Sequence, residues 1–330
     1  MKVVDMHCDT ISEIWYGCLE NTKITLKKND LHIDLEKMKK GDYLLQNFAM
    51  FVNLASKKDP LQSVIDLIDI FYQEMEQNKD VIGIVKTYAE IEKNHAEGKM
   101  SAMLTIEEGG VCKGDVSVLH MLYRLGARMM TLTWNHENEL AYPNYVPGDI
   151  EQADSCRSNT VNGLKEQGIV FLEEMERMGM IVDVSHLSDA GFYDVYQYTH
   201  KPFVASHSNA RALCGHCRNL TDDMVRKLAE RGGVTGLNYC AKFLDDAEKG
   251  EEPKSRVKAM AEQASYLRNI GGIACIGLGS DFDGIGGDLE MDNCSKLPLL
   301  EAELRKRGFH ESEIEAVFYK NVLNLYKELL

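Results

Sequence analysis

Met180–Val184, MIVDV, is a short apolar run rich in β-branched residues that leads through Ser185 into His186, and Asp189–Tyr198 follows at once with helical period. A run this brief reads as a buried strand rather than a helix. Strand followed by helix implies a next strand pairing in parallel, with both sheet faces covered. On either side the unit recurs. Strand-like runs lie at Val3–Met6, Asn47–Val52, Ser101–Ile106, Arg128–Thr133, Pro202–Ala205, Gly233–Leu237 and Ala274–Leu278. Helical candidates between them are Leu61–Gln77, Val116–Leu125, Val161–Met178, Asp222–Arg231 and Val257–Ile270, with Leu297–Arg307 and Glu311–Glu328 closing the chain. Eight strands are what a (β/α)8 barrel of the TIM type requires. An open doubly wound sheet shares the alternation, and Val81–Val85 is a candidate extra strand. Asn138–Asn159 and the charged Lys242–Lys254 are expected as long loops.

At 330 residues the chain is long for one domain, but barrels of this size form one, and a single catalytic domain over 1–330 is expected. The hydrophobic share of 44% supplies a large core. With 37 basic against 52 acidic residues the net charge is −15, which repels nucleic acid and anionic membrane surfaces. No stretch approaches the ~20 apolar residues needed to span a bilayer, and MKVVDMHCDT lacks the apolar run of a signal peptide. Nine scattered cysteines suggest free thiols in a reducing cytoplasm. The sixteen methionines, Met129-Met130 and Met175/Met178/Met180 among them, read as core filler.

The chemistry shows in where polar residues fall. The first strand runs into His7 and Asp9 (DMHCD), the third into Glu107-Glu108-Gly109-Gly110, the fifth into His186, the sixth into His207 (ASH) and the eighth into Asp281 (GSDFDG). In a barrel the carboxyl ends of the strands share one rim, where active sites are built. Singly, each has a bland explanation: a packed histidine, a polar turn, an N-cap. The pair HxD is stronger, because residues i and i+2 of a strand face the same way and can grip one cation. Five coincidences at the correct ends favour function. Three histidines and three carboxylates suit Zn²⁺, and Mn²⁺ or Fe²⁺ accept the same donors. The set suffices for two ions sharing a bridging carboxylate.

Taken in order, DMHCDT, TIEEGG, TLTWNHEN, VDVSHLSD, ASHSNARALCGHCRNLTDD and GLGSDFDG resemble the membrane (renal) dipeptidase family of zinc metallopeptidases, a variant of the metal-dependent amidohydrolase barrel. The resemblance covers nearly the whole chain. It implies that His7 and Asp9 bind one zinc, that His186 and His207 bind a second, and that the bridge is the glutamate before the Gly-Gly pair, Glu108; a one-residue slip would exchange it with Glu107. It implies Asp281 as the acid–base carboxylate and Arg218 as the group holding the terminal carboxylate of a dipeptide, sometimes one with a D-configured C-terminal residue. Relatives are often homodimers.

Two departures touch substrate recognition. Many relatives carry histidine directly after TLT, where this chain has Trp134; His136 is the candidate replacement. Phe243 stands where some relatives have tyrosine. An amidohydrolase cleaving N-acyl amino acids, lactams or esters is the alternative activity, since the same metal site serves all of them. A non-catalytic scaffold would have lost a ligand, and none is missing. Cys214-Gly215-His216-Cys217 matches a redox tetrapeptide but lacks the strand-to-helix context, Cys8 should face away from its HxD neighbours, and DFDGIGGDLE fails the EF-hand spacing.

Overall fold

The computed structural model describes residues 1–56, 58–146, 157–247 and 251–330. Its strands are β1 (Val3–Asp5), β2 (Tyr43–Phe51), β3 (Ile82–Ile84), β4 (Met100–Glu107), β5 (Met129–Thr131), β6 (Ile181–Asp183), β7 (Val204–Ala205), β8 (Val234–Leu237), β9 (Lys254–Ser255), β10 (Ile276–Leu278) and β11 (Asp288–Leu289). Eight of them close a ring in the order β1, β2, β4, β5, β6, β7, β8, β10 and back to β1, every pairing parallel. Closure excludes the open sheet. The extra strand over Val81–Val85 exists as β3, outside the ring. It takes one edge of β4 at Met100–Ala102, while β5 takes the same edge higher up, at Thr105–Glu107. β9 and β11 form a separate two-stranded pair.

The helices are α1 (Thr10–Leu19), α2 (Leu35–Lys40), α3 (Pro60–Gln77), α4 (Tyr88–Ala96), α5 (Val116–Leu125), α6 (Glu166–Met178), α7 (Asp189–Tyr198), α8 (Asp222–Glu230), α9 (Val257–Gly271), α10 (Pro298–Lys306), α11 (Glu311–Glu315) and α12 (Asn321–Leu329). The expected last helix is interrupted by a π-turn over Ala316–Lys320, a local widening that often marks a packing demand. Just beyond it, the Asn321 side chain donates to the carbonyls of Ile273 and Ile276 at 2.7 and 2.8 Å. This pins the closing helix beneath β10. Three helices went unforeseen: α1, α2 and α4. α4 carries a readable start signal, a capping box in which Thr87 and Glu90 satisfy each other's backbone N–H groups.

Val4, Met6, Met103, Met129 and Val204 pack with Tyr326 at one end of the barrel, so it is a filled core rather than a pore. Among the sixteen methionines, Met129, Met130, Met175 and Met180 are buried as expected. Of the two long loops, residues 147–156 and 248–250 lie outside the described residues. The near part of the first is tied down by bridges from Ala141 to Leu164 and from Pro143 to Leu187. No helix among the described residues is long and apolar enough to cross a membrane.

The cysteine expectation needs correction. Cys217 is disulfide-bonded, whereas Cys8, Cys18, Cys112, Cys214, Cys240, Cys275 and Cys294 are free. The cysteine count therefore no longer argues for a reducing compartment.

Candidate metal centre

Each carboxyl-end residue reaches the rim by a local turn. β1 ends at Asp5, whose carboxylate accepts from the backbone N–H groups of His7 and Ser280 at 3.2 and 3.0 Å. That fixes the backbone that presents both His7 and Asp281. His7 Nε2 lies 3.4 Å from Asp9 Oδ2, so HxD does put both side chains on one side. Cys8 faces away, its thiol directed to the Asn47 carbonyl at 3.5 Å. His186 and Asp281 both sit in the left-handed backbone region, with φ of 67° and 61°. Such strain costs about 1–3 kcal/mol and survives only where the surroundings enforce it.

The glutamate assignment is corrected by the same reasoning. Glu107 is the last residue of β4 and its side chain enters the barrel mouth. Its Oε2 is 3.3 Å from His7 Nε2, while Oε1 is 3.1 Å from His186 Nε2 and 3.7 Å from His207 Nε2. One carboxylate thus faces both halves of the cluster. Glu108 has left the strand, at φ 109°, and points the other way. It accepts from Gly110 N at 2.7 Å, Trp134 N at 3.0 Å and the Asn138 side chain. Strand alternation sends neighbouring side chains to opposite faces, and in this geometry the inward one is Glu107. Glu108 holds the loops together instead.

Three overlapping groups can each hold an ion: His7, Asp9 and Glu107; Glu107, His186 and His207; and His7, His207 and Asp281. All six residues are buried or nearly so. The fit to cations is visible in what the groups lack. Among the described residues, the buried His7 Nε2 and Asp9 Oδ1 find no hydrogen-bond partner. His186 and His207 engage their Nδ1 atoms elsewhere, with Asn135 Oδ1 at 2.8 Å and Ser206 Oγ at 2.7 Å, and turn their Nε2 atoms toward each other at 3.0 Å. Nitrogen and oxygen donors converging without protons to share are what a divalent cation satisfies.

The electrostatics follow from burial and crowding. Burial lowers His186 to about 4, with the Arg218 charge adding to the effect and Glu107 opposing it. Burial, then the charges of His7 and Arg218, hold His207 well below the usual range. For His7 burial also pulls down, but Glu107 and Asp9 outweigh it and raise the group well above its ordinary value. Burial, then the Glu107 charge, pushes Asp9 up to about 8. Asp281 rises to about 6, again chiefly by burial, with His7 and Arg218 pulling the other way. Its Oδ2 accepts from Asn238 Nδ2 at 3.0 Å, and its Oδ1 lies 3.9 Å from His7 Nε2.

Above the cluster opens a cavity of about 300 Å³ whose wall includes Asp9, Glu107, His186 and Asp281 with the aromatic rings of Phe51 and Trp134. That volume suits a small molecule. Trp134 occupies the place expected from its position after TLT, packed against Phe51 with ring centroids 4.8 Å apart. His136 does not line the cavity; its ring rests against Trp134 at 5.7 Å. The expectation that His136 replaces the relatives' histidine is therefore corrected. What the next residues contribute instead is Asn135, which lines the cavity and holds His186. No spacing or composition signal marks it in the sequence.

Arg218 is buried beside the cluster, under the ring of Phe243 at 5.3 Å. Its Nη atoms donate to Ser208 Oγ at 3.2 Å and the His207 carbonyl at 3.3 Å, and its Nε has no partner. Among the described residues no carboxylate comes within ion-pair distance of it. Phe243 and Cys240, rather than Arg218, form the cavity wall on that side. The redox reading of Cys214–Cys217 finds no support. Cys214 is a free, buried thiol raised to about 12 by burial and by Asp246, and no helix starts there.

Residues 1–329 match the family model described as membrane dipeptidase, peptidase family M19. A dipeptidase of Aspergillus oryzae, aclJ, is 31% identical over 305 residues, spanning 89% of this chain and 69% of its own. Two crystal structures superpose with TM-scores of 0.88. One is the M19 metallopeptidase called dipeptidase AC, 26% identical, with 100% of this chain and 98% of the other covered. The second is a metallopeptidase from Rhodobacter sphaeroides bound to a phosphinate mimic of the dipeptide L-Ala-D-Ala, 25% identical, with 100% and 99% covered.

Proposed function

Since the chain belongs to the membrane dipeptidase family and is therefore a metallopeptidase, we propose that it hydrolyses dipeptides at a two-zinc centre held by His7, Asp9, Glu107, His186 and His207. The observation that carries this reading is the Glu107 carboxylate, whose two oxygens face separate histidine groups 3.1–3.7 Å away. Bound there, zinc would polarise a carbonyl and make a hydroxide available near neutral pH. The chain's own residues supply the rest. Behind the wall formed by Cys240 and Phe243, Arg218 offers a buried guanidinium with no acidic partner among the described residues, suited to fork onto a substrate carboxylate. Asp281, raised to about 6 by burial, is poised to take up and release a proton at neutral pH. Asn238 engages its Oδ2, which leaves Oδ1 toward His7. Phe51 and Trp134 give the cavity wall an aromatic, apolar surface.

The test is release of free amino acids from a panel of dipeptides, with both L- and D-configured C-terminal residues because a solved relative holds an L-Ala-D-Ala mimic. The panel runs with and without chelator, alongside N-acyl amino acids, lactams and esters. Chelator-sensitive cleavage of dipeptides, with two zinc ions bound per chain, is expected. Cleavage confined to the non-peptide substrates would replace the dipeptidase reading by the amidohydrolase one.

A further inference from the structure

Beneath the metal centre lies a polar device that no catalytic step uses. Asp183, the last residue of β6, is buried and accepts four hydrogen bonds. Its Oδ1 takes the backbone N–H groups of Ser185 and Ser206 at 3.0 and 2.9 Å. Its Oδ2 takes the hydroxyls of Thr131 and Ser206 at 2.8 and 2.6 Å. The Ser206 hydroxyl in turn meets His207 Nδ1 at 2.7 Å.

The direction of this chain of bonds is fixed by proton count. Two oxygens 2.6 Å apart need a proton between them, and a carboxylate with both oxygens accepting has none to give. The single hydroxyl proton of Ser206 therefore lies toward Asp183. What remains toward His207 is a lone pair, so His207 Nδ1 must be the nitrogen that carries hydrogen. Its Nε2 is then a bare lone pair, directed at Glu107 and His186.

We propose that Ser206, held by Asp183, is a positioning residue that sets the ring orientation and tautomer of His207 so that Nε2 is always the metal-binding nitrogen. The proposal rests on the reading above that His207 binds zinc. Asn135 does the same for His186 through its carbonyl oxygen, but from a loop at the cavity wall. The Asp183 relay instead ties β5, β6 and β7 to the site from below. Such outer partners typically alter metal affinity by about 10–100-fold.

The polarity of the relay gives a signature that mere packing would not. In Asp183→Asn the amide oxygen would stay with the two backbone N–H groups and the amide NH2 would face Ser206. The hydroxyl would then accept from Asn and turn its proton toward His207 Nδ1 at 2.7 Å, with Ser185 Oγ the more distant acceptor at 3.3 Å, which favours the proton on Nε2, the tautomer unable to bind. Zinc affinity of the full chain is measured by competition with a chromogenic chelator, together with thermal unfolding of the metal-free protein. Ser206→Ala should bind zinc about 10–100-fold more weakly, Ser206→Thr should regain most of the affinity, and the nearly isosteric Asp183→Asn should be at least as weak as Ser206→Ala. Zinc binding by Asp183→Asn and Ser206→Ala within about threefold of wild type overturns the proposal while leaving the metal centre intact. Failure of the wild type to bind zinc overturns the functional reading and this proposal with it. If Ser206→Ala does not fold, Asp183→Asn decides alone.

Discussion

Exchanging the carboxylates of Glu107 and Glu108 for amides, one at a time, separates the two adjacent roles in a single experiment. A zinc concentration about a thousand times its Kd stabilises the native state by about 4 kcal/mol per site. Unfolding entropy near 2.1 cal/mol/K per residue makes 1 kcal/mol worth roughly 1.4 °C for a chain of 330 residues. Each occupied site should therefore raise Tm by about 6 °C over the metal-free protein. Glu107→Gln removes the charge facing both halves of the cluster, so most of the zinc-dependent rise should vanish. Glu108→Gln can keep its oxygen on the shared donors Gly110 N and the Asn138 amide, but then turns its NH2 toward Trp134 N–H. One buried donor is left unsatisfied, at about 1–3 kcal/mol, so the metal-free protein should melt roughly 1.5–4 °C lower with the zinc-dependent rise intact. Differential scanning fluorimetry of chelated and zinc-loaded protein reads both quantities. Loss of the rise in Glu108→Gln with its retention in Glu107→Gln would refute the assignment.

Asp281→Asn should keep bound zinc by atomic absorption yet lose about 10²–10⁴ in kcat; unaltered kcat removes Asp281 as the proton carrier. Arg218→Lys keeps the charge but not the fork, so KM for a dipeptide should rise about 10–100-fold with kcat little changed, and an unchanged KM would mean the substrate carboxylate binds elsewhere. His216, whose Nδ1 accepts from Arg218 N at 3.1 Å, is lowered to about 4 by burial and then by the Arg218 charge. Its folded value lies below the unfolded 6.5, so the unfolded chain holds more protons between them. Its contribution is complete above pH 6.5 and falls away toward pH 4 by at most about 3 kcal/mol. Urea unfolding of metal-free protein at pH 7 and pH 4.5 should show a smaller acid loss in His216→Asn than in wild type, and equal losses would refute the assignment.

How far the sequence carries depends on whether a feature is periodic or singular. The barrel strands announce themselves because each must be apolar on both faces, and α5 and α7 fall at Val116–Leu125 and Asp189–Tyr198 as their periodicity predicts. α1 stayed hidden: it starts directly after Asp9 with no side-chain cap, in a stretch whose polar residues serve the rim as well as the helix. The site shows the same division. Histidine and aspartate at strand ends are conspicuous, and the structure gathers His7, Asp9, His186, His207 and Asp281 at one mouth. Choosing between Glu107 and Glu108 needs the register of β4, which a pair of identical residues cannot reveal; it is set where β4 stops and φ turns to 109°. His136 misled for a related reason, since only the path of the loop decides that Trp134 and Asn135 face the cavity and the next residue does not. Asp183 is the most instructive case. Within VDVSH it resembles one more polar residue at a strand end, yet its four donors come from Thr131 at the end of β5, Ser185 just after β6 and Ser206 just after β7. A residue whose function is to orient another has no chemistry of its own to display, so it becomes visible only when the bonds are traced in space.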